Sequence, residues 1–74
     1  MRTKTVTISA YATDYNEKCY CLHYGRNERE FIPKSQALLV EAPDGIDDKP
    51  KSCYFEMPLW LANKLKGIEY YDIL

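Results

Sequence analysis

The chain has 74 residues, which is enough for one domain spanning 1–74, and its ten basic and eleven acidic side chains leave a net charge of −1. A domain this small buries only about 60% of the surface its unfolded chain exposes, which leaves little room for an enclosed pocket beside a core and argues against a stand-alone enzyme. The near-neutral charge excludes the broad basic footprint of a dedicated duplex-DNA binder, and 46% apolar residues with seven tyrosines suit a folded domain, not a disordered one.

Thr5-Val6-Thr7-Ile8-Ser9-Ala10-Tyr11 alternates polar and apolar side chains, the period of a strand with one wet face. Asp14-Tyr15-Asn16-Glu17 reads as a turn, since Asp and Asn bond to their own backbone. Lys18–Tyr24 is a second strand, and Gly25-Arg26-Asn27 supplies the permissive dihedrals of a hairpin turn. Glu28–Ile32 returns as a third strand. Pro33-Lys34-Ser35-Gln36 then breaks the pattern with a bend or a 3₁₀ turn. Ala37–Glu41 is predicted as a well-buried fourth strand, and Ala42–Lys51 as a loop rich in Asp, Pro and Lys. Ser52–Met57 is a fifth strand. Pro58 opens a short helix through Lys66, with Gly67 as a left-handed stop. Glu69–Leu74 adds a final edge strand. Leu61, Leu65 and Ile68 are aimed at the sheet, and Trp60 is expected in the core. The fold class expected is α+β, mostly β: a small antiparallel meander or partly open barrel of about five strands with one short C-terminal helix, of the SH3-like or OB-like kind.

Two segments carry a resemblance. Phe31-Ile32-Pro33-Lys34-Ser35-Gln36, followed further on by Phe55-Glu56-Met57-Pro58-Leu59-Trp60-Leu61-Ala62-Asn63-Lys64, resembles a pattern in small phage and prophage proteins. In those proteins a hairpin ends in Pro-Lys-Ser-Gln, and a last strand runs into Pro-x-Trp-Leu-Ala-x-Lys. The similarity covers roughly Tyr20 to Ile68. It implies a mobile-element origin and a small β-rich fold, and it implies no activity. The Asp- and Lys-rich loop after Ala42, the tail after Gly67 and the tyrosine load depart from the shared pattern, and a particular function would be grafted there.

Cys19-x-Cys21-x-His23 with Cys53 offers a complete zinc donor set by type. Strand spacing works against it: residues two apart lie about 6.6 Å apart, too far to converge on one ion. Small buried thiols are the simpler reading. His23 has no acid partner nearby in sequence, and Asp44-Gly45-Ile46-Asp47-Asp48 lacks the length and terminal Glu of an EF-hand loop. No catalytic residue, metal site or cofactor is expected. With no apolar stretch of ~20 residues, and no apolar run after Met1-Arg2-Thr3-Lys4-Thr5, no membrane partner or signal segment is expected. Three cysteines suit reduced thiols in the cytoplasm, which is the host cytoplasm if the chain is phage-encoded.

Tyr20, Leu22 and Tyr24 share one strand face, with Arg26, Arg29 and Lys34 on or beside the same hairpin. Aromatics interleaved with cations can stack single-stranded bases, but Glu17, Glu28 and Glu30 offset that charge. The same residue types anchor protein–protein interfaces, and Asp44, Asp47 and Asp48 could meet a basic partner. The expectation is therefore a non-enzymatic phage or mobile-element protein that binds and inhibits or redirects a host protein, such as a component of a bacterial defence system. A single-stranded nucleic-acid-binding barrel is the first alternative. A virion structural or assembly protein joined through edge strands is the second.

Overall fold

β1 (Thr5–Asp14) is the spine of the molecule. The computed structural model describes residues 4–74, so the reading of Met1, Arg2 and Thr3 lies outside the described residues. β2 (Cys19–Tyr24), β3 (Glu28–Pro33), β4 (Leu38–Glu41) and β5 (Lys51–Pro58) complete an antiparallel sheet in the order β3-β2-β1-β5-β4. Helix α1 (Leu59–Lys64) and a 3₁₀ turn at Ile68–Tyr70 follow. β6 (Asp72–Ile73) then pairs with β1 on the same side as β2. This is a small, mostly-β α+β fold built as an open sheet. Among the described residues no helix is long and apolar enough to cross a membrane.

The alternation in β1 sets the two faces. Ile8, Ala10 and Ala12 are buried, and register places them opposite Phe55, Cys53 and, across β2, Leu22. Met57, Ile32, Ala62, Leu65 and Tyr71 close the core from β5, β3, α1 and the C-terminal segment. Only residues 34–37 connect β3 to β4, at opposite ends of the strand order. Four strand spacings of a flat sheet span about 19 Å. A link that also folds back, with Gln36 and Ala37 N–H both donating to the Pro33 carbonyl, cannot cross that distance. The sheet therefore rolls until the start of β4 nears the end of β3.

The expected turns form as their residues dictate. Asn16 Oδ1 accepts the Lys18 and Cys19 N–H groups at 2.7 and 2.9 Å. Gly25 (φ 57°) and Asn27 (φ 63°) supply the left-handed ends of the β2–β3 turn.

Four expectations need correction. β4 is an exposed edge: Leu38 is 63% and Val40 53% exposed, and a bulge interrupts pairing between Leu39 and Glu41. Its apolar run lines one side of the sheet's end, where no further strand among the described residues covers it. α1 stops at Lys64 with Leu65 extended, and Pro58 sits at its N-cap as the last residue of β5. Gly67 is not left-handed (φ −96°). Trp60 is 48% exposed, outside the core, with Lys64 Nζ 5.5 Å from its ring centroid. A six-residue helix has one face to bury, and Ala62 with its flanking Leu65 takes it.

Candidate interaction surface

Odd-numbered residues of β1 and β2 face away from the core, and register joins them into rows. Ser52, Tyr11, His23 and Arg29 form one row across β5, β1, β2 and β3. Thr13, Cys21 and Phe31 form the next. Tyr11 is 61% and Phe31 47% exposed. Tyr15, from the turn after β1, meets Phe31 edge-on with centroids 4.7 Å apart. The Arg29 guanidinium lies 6.0 Å from the Phe31 centroid, a cation–π distance. Further along the same face stand Tyr54, Glu41, Glu56 and Asp72, through their pairing with Ser9 and Thr7 of β1.

His23 sits in the first row, with its Nε2 3.3 Å from Thr13 Oγ1. Burial, and secondarily the Arg29 guanidinium, hold its pKa below the ordinary 6.5. A base whose folded pKa is depressed resists protonation only in the folded state. Stability is thus full above pH 6.5 and declines as pH falls from there toward the lower folded value. His23→Asn should remove this slope, measured as the difference between wild-type and variant urea midpoints at pH 7.5 and at mildly acid pH. Parallel pH dependence in the two proteins would refute it.

The residues singled out in the sequence do not form one patch. Tyr20 and Tyr24 share a face as their spacing predicts, but it is the core-facing one. Tyr20 packs on Phe55 with centroids 5.1 Å apart, and Tyr24 stands edge-on to Tyr71 at 6.2 Å. Both are half-buried, so they offer no open stacking platform. Lys34 is committed to Asp14 at 2.8 Å and lies over the Tyr20 ring at 4.8 Å. Arg26 is exposed in the hairpin turn, and Arg29 alone of the cations joins the outer face. Asp47 holds its own loop: its carboxylate takes the Lys51 ammonium at 2.7 Å and the Lys49 N–H at 2.8 Å, and these depress its pKa in that order. Asp44 and Asp48 flank it, exposed. Cys21 faces outward in the Thr13–Phe31 row, whereas Cys53 faces the core opposite Ala10, so these two thiols cannot meet at one ion. Burial raises the pKa of both.

Glu30 is the polar hub that sequence reasoning missed. Its carboxylate accepts the Lys66 N–H at 2.7 Å, the Gly67 N–H at 2.8 Å and the Tyr71 hydroxyl at 2.8 Å. Burial, then the hydrogen bond to Glu30, hold the Tyr71 phenol protonated far above its usual range. The available signal was parity: Glu30 shares its face with Ile32, not with Phe31.

Concavities open at two places among the described residues. One of about 170 Å³ opens where β2 and β6 leave β1 uncovered, lined by Ser9, Tyr11, His23, Tyr70 and Asp72 among others. A groove of about 340 Å³ runs beside β4, between residues 34–38 and Glu56–Pro58. The first falls below the roughly 300–1,000 Å³ of small-molecule sites, and the second only reaches its lower limit. No family model, curated protein or solved structure matches the chain.

Proposed function

We propose that the chain is a non-catalytic binding domain that holds a partner protein against its outer sheet face, with Tyr11, Tyr15 and Phe31 as anchors and Arg29 as the charged contact. The observation that carries this reading is the set of three exposed rings beside a guanidinium that has no carboxylate partner among the described residues. Aromatic and arginine side chains are the types that dominate binding energy in protein interfaces. The same face carries Glu41, Glu56 and Asp72, which would repel a phosphate backbone and complement a mixed-charge protein surface. The resemblance of Phe31–Gln36 and Phe55–Lys64 to small phage and prophage proteins supports a host protein as partner, with antagonism of a bacterial defence system as the outcome.

The test is affinity capture from nuclease-treated bacterial lysate, comparing wild type with Phe31→Ala and with Trp60→Ala as an exposed-aromatic control. A stoichiometric protein band should persist with Trp60→Ala and be lost with Phe31→Ala, a loss of about 2 kcal/mol or roughly 30-fold in affinity. Equal retention by all three proteins, or no band at all, would sink the reading. Single-stranded nucleic acid is the second reading, favoured by the same rings with Arg29. Material that disappears with nuclease, and whose binding weakens steeply with salt, would establish it instead.

A further inference from the structure

We propose that a second copy of the chain pairs with the free edge of β3, antiparallel and two-fold symmetric about Phe31. Among the described residues β3 pairs with β2 and with no other strand. The Lys34 N–H donates to the Lys18 carbonyl at 2.8 Å, which fixes the phase of the ladder. Bonded pairs alternate in an antiparallel ladder, so Glu28, Glu30 and Ile32 direct their backbone groups to β2. Arg29 and Phe31 direct theirs outward, and these have no backbone partner among the described residues; the Pro33 carbonyl also lies on this side but already accepts the Gln36 and Ala37 N–H groups. The edge spans six residues without a bulge, whereas the opposite edge, β4, is four residues long and bulged. Bulges and short length are two ways in which sheets blunt an edge, and β3 has neither; it carries instead a terminal Pro33 and the charges of Glu28, Arg29 and Glu30.

Symmetry and charge select the register. Outward residues must face outward residues, so the two-fold axis falls on a residue. Centring on Arg29 sets guanidinium against guanidinium, and centring on Glu30 sets carboxylate against carboxylate; like charges directly opposite are destabilising. Centring on Ile32 leaves the Arg29 N–H beyond the partner's strand, because Pro33 ends β3. Centring on Phe31 opposes Phe31 to Phe31 and Arg29 to Pro33. The two Phe31 residues then exchange both of their N–H···O bonds, while Pro33, which has no N–H and a carbonyl already held by Gln36 and Ala37, closes the ladder. The outer faces of the two copies run together and stay open, and the proposal does not rest on partner recognition.

Strand-edge pairing buries less than the ~1,200 Å² of standard interfaces, so the dimer is weak and concentration-dependent. Light scattering on the purified protein should show a mass rising from 8.7 kDa toward twice that value as concentration increases. Phe31→Lys, at an exposed position, places two ammonium groups opposite each other and should hold the mass at the monomer value. In a background with Cys19→Ser and Cys21→Ser, which removes the thiol directly opposite position 31 in β2, Phe31→Cys should oxidise to a covalent dimer, because facing bonded pairs have Cα atoms about 5.5 Å apart, within disulfide range. Arg29→Cys should not, since the two substituted positions lie about 13 Å apart along the strands. A mass of 8.7 kDa at every concentration, as expected if the edge instead takes a strand of another protein, would overturn the proposal. Equal cross-linking of the two cysteine variants would do the same.

Discussion

Gly67→Ala should destabilise the domain by about 3 kcal/mol, the upper end of what overpacking a well-filled site costs. The reason is space, not backbone conformation. A methyl group at Gly67 would lie 2.6 Å from Cδ1 and 2.9 Å from Cβ of Tyr24, and closer still to Cγ. The Tyr24 ring cannot swing aside freely: Tyr70 lies over it at 5.7 Å between centroids, and Tyr71 abuts it at 6.2 Å. Small domains hold only about 5–10 kcal/mol in total, so the loss should be plain in urea unfolding. A double-mutant cycle separates the steric account from a backbone one. Tyr24→Leu alone should destabilise, yet Gly67→Ala should cost much less in that background than in the wild type. Additive effects would refute the clash.

Glu30→Ala should cost a further large share, about 3 kcal/mol, because it leaves two backbone N–H groups and the Tyr71 hydroxyl without their acceptor. Glu30→Gln, which keeps one acceptor oxygen and loses the charge, should fall between Ala and wild type. The damage should also be local. The carboxylate ties β3 to the segment that carries the 3₁₀ turn and β6, so amide exchange in residues 66–74 should accelerate before exchange in β1 and β5 does. Uniform acceleration across the chain would show that Glu30 supports the whole core and not the C-terminal segment.

The strands were legible because their periods are local. Which face of β2 is inward was not. Cys19, Cys21 and His23 alternate with Tyr20, Leu22 and Tyr24, and both sets can be buried. The choice is made by register, which sets Leu22 opposite Ala12 of β1. Tyr20 and Tyr24 therefore turn toward the core, and Tyr11, Tyr15 and Phe31 are exposed rings on the opposite side of the sheet. Edge position was equally hidden: Leu38-Leu39-Val40 reads as core by composition, and only the strand order makes it an edge. Glu30 could be placed on the inner face by parity, but its partners lie 36 to 41 residues away and carry no sequence signature, since two of the three are main-chain N–H groups.

The strand order also governs the sequence of events by which the chain reaches this structure. β1 is the first strand made, and its longest ladder, from Thr5↔Pro58 to Ala12↔Lys51, is with the fifth. The β2–β3 hairpin can close within microseconds, and it can dock only on the Tyr11–Asp14 end of β1. The rest of β1, including Ile8 and Ala10, stays without a neighbour until β5 arrives. Loop-closure entropy must be met before that long-range ladder gives any return, which places the domain among the slower folders of its size. During that wait the chain presents an unpaired, half-apolar strand to solvent. The interval before β5 docks, more than the finished sheet, is when this protein is most exposed to aggregation.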